Sequence, residues 1–159
     1  MPLRVGIGYD IHRRGQGRLL VLGGVRFRTD WGLEGHSDAD VLSHAIGDAL
    51  LGAAALGDLG LHFPPGDARW KDVSSIELLR LIASLLKGAG AEVVNIDATL
   101  IAEEPKLAPV RDLMRLNIAR ALTIGDRQVS LKATTNETIG AIGRREGIAA
   151  LAVAMVETP

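Results

Sequence analysis

The hydrophobic pattern changes its period along the chain, and this change constrains the fold more than any other feature. Residues Leu3–His12 alternate, with apolar side chains at every second position, which predicts a β-strand. Between Ala39 and Leu56 the apolar residues recur three and four apart, at positions 41, 42, 45, 46, 49, 50 and 53. That spacing predicts an amphipathic helix. A chain with both periods is expected to pack helices against a sheet.

The remaining segments extend this order. Gly23-Gly24 separates two short apolar runs and predicts a hairpin with a two-residue turn. The last apolar segment, Gly147–Glu157, is ambiguous, because its alanines favour a helix whereas its short length suits a buried strand. The other predicted elements are helices at about 74–87 and 109–123 and strands at 92–102 and 128–134. We expect one α+β domain over residues 1–159, with a mixed four-stranded sheet, the hairpin, and helices packed on one face.

Polar residues mark the predicted helix starts. Ser37 or Asp38 can cap the helix that begins at Ala39. Ser74 and Glu77 have the spacing of a capping box. The segment 29–36, between the hairpin and the first helix, is predicted to be a loop.

Composition excludes several classes of protein. The net charge is −1 without long charged runs, which argues against a nucleic-acid binder. With no cysteine, neither disulfides nor thiolate zinc sites are possible, and we expect a cytoplasmic protein. Because the first predicted strand begins at Leu3, a signal or transit peptide is not expected. The longest near-apolar runs, Ala49–Gly57 and Ile148–Val156, have nine residues each, whereas a membrane span needs roughly 20.

Three residues could form a metal site. Asp10 and His12 are two apart on a predicted strand, so their side chains leave the same face. His44 lies on a polar stripe of the predicted helix between Asp40 and Asp48. Each group alone could simply face water. Together, Asp10, His12 and His44 would have the composition of a catalytic zinc site with one open position, and Asp40 or Asp48 could orient the imidazole.

Several loops carry polar groups that suit a phosphate ligand. His36-Ser37 precedes a predicted helix N-terminus, which favours an anion, although Ser37 could be only a helix cap. The hydroxyl and carboxylate groups of 134–137 could bind phosphate and Mg²⁺, and Arg144 could clamp a phosphate or be an ordinary exposed arginine. Neither a Walker-type phosphate loop nor a Gly-x-Ser-x-Gly elbow is present, so a serine or cysteine nucleophile has no obvious candidate.

Seven motifs together resemble the 2-C-methyl-D-erythritol 2,4-cyclodiphosphate synthase family of the non-mevalonate isoprenoid pathway, nearly from end to end. The motifs are GYDIH (8–12), LGG (22–24), HSDADVLSHAIGDALLGAAALGDLG (36–60), FPPGD (63–67), EEPKLAP (103–109), KATTNETIG (132–140) and GRREG (143–147).

The resemblance implies a lyase that converts 4-diphosphocytidyl-2-C-methyl-D-erythritol 2-phosphate into the cyclic diphosphate and CMP. The 2-phosphate would attack the β-phosphate within the same molecule. The resemblance also implies a homotrimer with its active sites at the subunit interfaces, one Zn²⁺ per subunit, and Mg²⁺ or Mn²⁺ on the diphosphate.

The resemblance also assigns the site residues. The metal ligands would be Asp10, His12 and His44 for zinc and Glu137 for the second cation. His36 and Thr135 match the positions that stabilise the transition state. The methylerythritol phosphate would contact Asp10, His12, His36, Ser37, Asp58, Leu59, Gly60, Phe63, Pro64, Pro65, Gly66 and Asp67. The cytidine and diphosphate would contact Ala102, Glu103, Glu104, Pro105, Lys106, Leu107, Ala108, Thr134, Thr135, Asn136, Glu137 and Arg144.

Two positions depart from the family pattern. Ala141 stands where the family often has a phenylalanine that lines a cavity on the trimer axis, so an apolar ligand there is not expected. Ala39 replaces a frequent glycine, and we expect it to favour the helix.

Two other functions use the same residues. A metal-dependent phosphohydrolase would need the same ligands around an open, wet site. A trimeric scaffold would bind nucleotide without turnover. The identity of the product separates these alternatives.

Overall fold

The computed structural model describes all residues from Met1 to Pro159. It contains seven strands and five α-helices, with single 3₁₀ turns at Ala68–Trp70 and Asp126–Gln128. The elements are β1 (Leu3–Gln16), β2 (Leu20–Leu22), β3 (Val25–Phe27), β4 (Trp31–Leu33), α1 (Val41–Ala53), α2 (Leu59–His62), α3 (Ser75–Gly88), β5 (Glu92–Ile101), α4 (Arg111–Leu122), β6 (Val129–Thr134), α5 (Gly140–Gly143) and β7 (Gly147–Glu157).

The main sheet has five strands in the order β4-β1-β7-β5-β6. The β5–β6 pair is parallel and the other pairs are antiparallel, so the predicted mixed sheet is confirmed. The predicted number of four strands is wrong, because β4 lies in the segment expected to be a loop. Its three residues pair with the end of β1, where Arg14 lies opposite Leu33.

The hairpin of β2 and β3 forms as predicted. Gly23 and Gly24 join its strands with φ values of +56° and +73°. Two consecutive positive φ angles are the requirement of a type I′ turn, which glycine meets without steric cost.

The ambiguous final segment is a strand. β7 lies at the centre of the sheet, between β1 and β5. Its inward residues Ala150, Ala152 and Ala154 are fully or almost fully buried. Burial between two partner strands therefore outweighs the preference of alanine for helix.

The helix caps differ from those predicted. α1 begins at Val41 and its N-cap is Asp40, not Ser37 or Asp38. The Asp40 carboxylate is fully buried and accepts hydrogen bonds from the amides of Ser43, Gly23 and Gly24, so one side chain joins the helix start to the hairpin turn.

α3 also lacks its predicted capping box, because Ser74 makes no side-chain cap bond. Asp38 accepts the amide hydrogen of Ser75 instead. The expectation that Ala39 favours the helix is wrong as well. Ala39 lies before α1 with φ +57°, in the left-handed region that favours glycine.

The helices cover one face of the sheet. α1 contacts β1, β7 and β5, while α4 packs on β6 and α3. Small inward residues let α1 lie close, since Gly6 and Gly8 have no room for a Cβ beneath it. The core is aliphatic, as the low aromatic content predicts. On the opposite face of β1, apolar side chains are left exposed, among them Val5 and Ile7.

None of the helices combines the length and the apolar character that crossing a membrane would require.

Candidate active site and metal centre

The candidate metal centre lies where β1 passes under the first turns of α1. Asp10 and His12 leave the face of β1 that carries Gly6 and Gly8, and His44 leaves the first turn of α1. The close approach of helix and strand brings the three side chains together although the histidines are 32 residues apart in sequence.

Three ligand atoms form a compact triangle. Asp10 Oδ2 lies 2.8 Å from His12 Nε2 and 3.0 Å from His44 Nδ1. The two imidazole nitrogens are 3.2 Å apart. This is the group of metal-binding side chains that the sequence predicted, and each of the three residues is half-buried.

The triangle suits a small tetrahedral cation. An ion with nitrogen and oxygen ligands at about 2.0–2.1 Å holds neighbouring ligand atoms roughly 3.3 Å apart. The observed separations of 2.8, 3.0 and 3.2 Å are close to that edge length. Two imidazoles and one carboxylate are also the ligand types that zinc accepts at catalytic sites.

The second nitrogen of each histidine is held by protein groups. His12 Nδ1–H donates to the carbonyl oxygen of Glu34 at 2.7 Å. His44 Nε2 faces the hydroxyls of Ser37 and Ser75 at 3.0 and 2.8 Å. With these contacts made, Nε2 of His12 and Nδ1 of His44 face Asp10 and are the nitrogens that would bind a metal.

The side chains that orient His44 are not the ones considered from the sequence. Asp40 is turned away into the helix cap, and Asp48 accepts the amide hydrogen of Leu59 at 2.8 Å. Asp38 acts through Ser75, whose hydroxyl donates to the Asp38 carboxylate and lies beside His44 Nε2. Ser75 starts α3, 31 residues beyond His44, and no local pattern in the sequence indicates this role.

The cluster shifts the ionisation of its own members. Burial opposes the charge on Asp10, but hydrogen bonds and charge from His12 and His44 outweigh it and lower the pKa of Asp10. Burial likewise opposes protonation of His12, yet the hydrogen bond and charge of Asp10 raise the pKa of that imidazole. Without a metal, His12 therefore holds its proton more readily than a free imidazole does, and Asp10 loses its proton more readily than a free carboxyl group. A metal would displace that proton, so its binding is expected to strengthen as pH rises.

A cavity of about 280 Å³ opens above the triangle. Besides the triangle, its lining includes His36, Ser37, Asp48, Leu59, Gly60, Phe63 and Pro65. Trp70 also lines it and packs edge-on against Phe63, with ring centroids 5.0 Å apart. Polar and apolar side chains therefore line the same cavity, which is typical of a small-molecule site. Trp70 lies outside the set of site residues predicted from the sequence.

A hydrogen bond from His36 holds the loop 63–67, which lines part of the cavity. His36 Nε2–H donates to the carbonyl oxygen of Asp67 at 2.9 Å. Asp58 caps α2 by accepting the amide hydrogen of Leu61. Ser37 is buried, and its carbonyl oxygen accepts a hydrogen bond from Arg18. The Asp40 carboxylate caps the N-terminus of α1, so an anion bound by His36 and Ser37 would not use the free amides of that helix end.

The other predicted site residues form a second group, at the carboxyl ends of β5 and β6. Ile101 lies opposite Thr134 in the parallel pair, so the loops 102–108 and 134–137 leave the sheet side by side. None of these residues lines the cavity above the triangle, and Glu137 is not part of the metal cluster. Arg144 is paired with Glu146 at 2.8 Å. The predicted site residues thus form two groups that stay apart within a single chain. We call them the two half-sites: the metal triangle with its cavity, and the loops 102–108 and 134–137.

The model of the YgbB family matches residues 3–157. The chain belongs to the YgbB family. This membership confirms the resemblance inferred from the seven motifs.

Several named proteins resemble the chain closely over nearly its whole length. A 2-C-methyl-D-erythritol 2,4-cyclodiphosphate synthase from Syntrophomonas wolfei is 57% identical over 155 residues, which cover 98% of this chain and 99% of the relative. The structure of a bifunctional IspDF from Campylobacter jejuni superposes with a TM-score of 0.95 at 40% identity, covering 99% of this chain and 43% of that longer one. A CDP complex of IspF from Plasmodium falciparum gives a TM-score of 0.85 at 32% identity, covering 98% and 96% of the two chains.

Proposed function

We propose that this chain converts 4-diphosphocytidyl-2-C-methyl-D-erythritol 2-phosphate into 2-C-methyl-D-erythritol 2,4-cyclodiphosphate and CMP. It is an enzyme of isoprenoid biosynthesis, and a lyase because the cyclisation expels CMP without water. The observation that carries the proposal is the Asp10–His12–His44 triangle at the base of the cavity, in a chain 57% identical to a named synthase.

The chemistry requires positioning more than a protein nucleophile. A phosphate oxygen of the substrate forms the new bond to the β-phosphorus as the bond to CMP breaks, so the nucleophile belongs to the substrate. This explains why the chain lacks an activated serine or cysteine. The protein must fold a polyanion so that the attacking and leaving oxygens are in line.

We assign roles to the residues of the two half-sites. Ser37, Gly60 and the loop Phe63–Asp67 would hold the methylerythritol phosphate, with His36 steadying the reacting phosphates from one side and Thr135 from the other. Loop 102–108, with Lys106 exposed, would bind the cytidine, and Arg144 the phosphates.

The metals have separate proposed places. Asp10, His12 and His44 would hold Zn²⁺, and Glu137 would ligate Mg²⁺ or Mn²⁺. Bound there, the cations would supply Lewis acidity and offset repulsion among the phosphates. The expected cytoplasmic location stays a prediction.

We also propose a homotrimer in which the cytidine loop of one subunit faces the zinc ligands of the next. The separation of the two half-sites within a single chain supports this. So does the exposed apolar face of β1 and β7, since monomers rarely leave such patches uncovered. Its exposed members are Leu3, Val5, Ile7, Tyr9, Ile11, Leu151 and Val153.

The test is to supply the purified protein with the substrate and to identify the product by phosphorus NMR. We expect a cyclic diphosphate and one equivalent of CMP. A linear phosphate would identify a phosphohydrolase instead, and CMP binding without turnover would identify a scaffold. Either result would refute the proposal.

A further inference from the structure

Two adjacent carboxylates at the end of β5 hold different parts of the chain. Glu103 accepts the amide hydrogen of Asn136 on Oε2 at 2.9 Å and that of Thr138 on Oε1 at 2.8 Å. Both oxygens of Glu103 are therefore engaged by one loop, the loop that carries Glu137. The Glu103 carboxylate therefore anchors this loop.

That loop needs an external anchor. Glu137 and Thr138 have φ values of +53° and +61°, in the left-handed region that residues other than glycine rarely adopt. Two such residues in succession would relax to another conformation if the loop were free. Charge-assisted hydrogen bonds on both sides of Glu137 hold it in place.

Glu104 contacts β1 and not the loop that Glu103 holds. Its Oε1 accepts a hydrogen bond from Arg14 Nη1 at 2.9 Å, and Arg145 Nη1 lies 4.0 Å from Oε2. The guanidinium of Arg14 stacks on the buried ring of Trp31, 3.8 Å from its centroid, which fixes the orientation of the arginine. Arg14 follows His12 by two residues on β1, so Glu104 ties the loop 102–108 to the strand that carries two of the metal-binding side chains.

We propose that Glu103 and Glu104 are positioning residues with separate tasks. Glu103 presents Glu137 to the second cation, and Glu104, held by Arg14, sets the loop that receives the nucleotide. The inference rests on the proposed function, because it takes the loop 102–108 as the nucleotide site and Glu137 as a cation ligand.

The test measures CDP binding by calorimetry to the zinc-loaded protein, with and without Mg²⁺. In Glu103→Gln, the amide group can accept only one of the two hydrogen bonds and turns a donor toward the other. We expect the gain in CDP affinity from Mg²⁺ to shrink about tenfold, while affinity without Mg²⁺ changes by less than about twofold.

Glu104→Gln should give the complementary result. We expect CDP affinity without Mg²⁺ to fall about fivefold, with the Mg²⁺-dependent gain retained. Arg14→Met, which removes the partner and leaves Glu104 in place, should give the same pattern and serves as a second variant if Glu104→Gln folds poorly.

Glu77→Gln is the matched control. It breaks a glutamate–arginine pair of similar N–O distance on α3, where Arg80 Nη1 lies 2.7 Å from Glu77 Oε2. Both binding quantities should stay unchanged in this control.

The division of tasks would be overturned if both variants lost CDP affinity without Mg²⁺ and the Mg²⁺-dependent gain to the same extent. It would also be overturned if neither variant changed either quantity. Failure of the wild-type chain to bind CDP would overturn the proposed function before any variant is compared. Normal CDP binding without cyclic product would refute the synthase activity. The separate effects of Glu103→Gln and Glu104→Gln on CDP binding would still support the two positioning roles in that case.

Discussion

A Cβ placed on Gly8 would lie 1.9 Å from the carbonyl oxygen of Ala45. The strand and the helix are therefore in backbone contact, and this contact sets the distance between Asp10 and His44. The obstructing atoms belong to the backbone of α1, so no change of rotamer can make room.

Gly8→Ala should consequently push α1 away from β1. We expect the free energy of unfolding to fall by about 3 kcal/mol or more. Zinc affinity should fall as well, because the displacement separates His44 from Asp10. Urea unfolding and metal titration measure the two effects.

Gly52→Ala is the control for that substitution. Gly52 also lies in α1, but a Cβ there meets no atom within 4 Å. Alanine should stabilise this helix position by about 1 kcal/mol and leave zinc binding unchanged. Wild-type stability and full zinc content in Gly8→Ala would contradict the packing argument.

His44→Ala removes one corner of the metal triangle. We expect turnover to fall about 100-fold or more and bound zinc to drop below one ion per chain. His62→Gln should retain its zinc, because His62 lies outside the triangle and contacts the carbonyl oxygen of Leu56. Near-normal activity of His44→Ala after metal stripping would exclude the assigned ligands.

Asp48 should give the metal-free protein a specific pH dependence. Burial raises the pKa of Asp48, partly opposed by the hydrogen bond from Leu59, and the charges of Asp58 and Asp10 raise it further. The folded chain therefore keeps a proton at pH values where the unfolded chain, with a pKa near 3.8, has released it. The contribution of Asp48 to the free energy of unfolding must therefore fall as the pH rises from about 4 through the raised pKa.

Asp48→Asn removes this fall in the free energy of unfolding, because asparagine does not titrate. Its side-chain oxygen can still accept the amide hydrogen of Leu59. The free energy of unfolding of the variant, minus that of the wild type, should therefore increase from pH 4 upwards and then level off. Urea unfolding at several pH values measures it. Asp112→Asn, at a side chain that is 90% exposed, is the control and should show no such increase. A difference that decreases with pH would contradict the assignment.

Ile7→Lys tests the proposed trimer. Ile7 is 70% exposed in the single chain and lies at the centre of the apolar face of β1. A buried, unpaired lysine at a subunit interface is costly, so sedimentation should show monomers where the wild type shows trimers. Leu113→Lys, at a half-exposed leucine of α4, should leave the particle size unchanged. A wild-type monomer would remove the basis of the shared active site.

Local patterns predicted most elements because the period of apolar residues reflects which face of each element is buried. The strand β4 was missed for the opposite reason. Its three residues, Trp31–Leu33, are too few to show a period, and they form a strand only because the end of β1 offers a free edge. The role of Asp40 as a cap that also holds the hairpin was missed for a related reason. It depends on Gly24 and Gly23, which lie 16 and 17 residues away in sequence.

The amino-acid sequence by itself determined the α+β class, the family, and the types of residue available for a metal, since these follow from spacing and identity along the chain. Only the tertiary structure decided which side chains meet. It placed Ser75 and Asp38 behind His44, and it kept Glu137 away from the Asp10–His12–His44 triangle of the same chain. The physical reason is that these contacts depend on how closely α1 and α3 pack on the sheet, and side chains far apart in sequence leave no periodic signal of that approach.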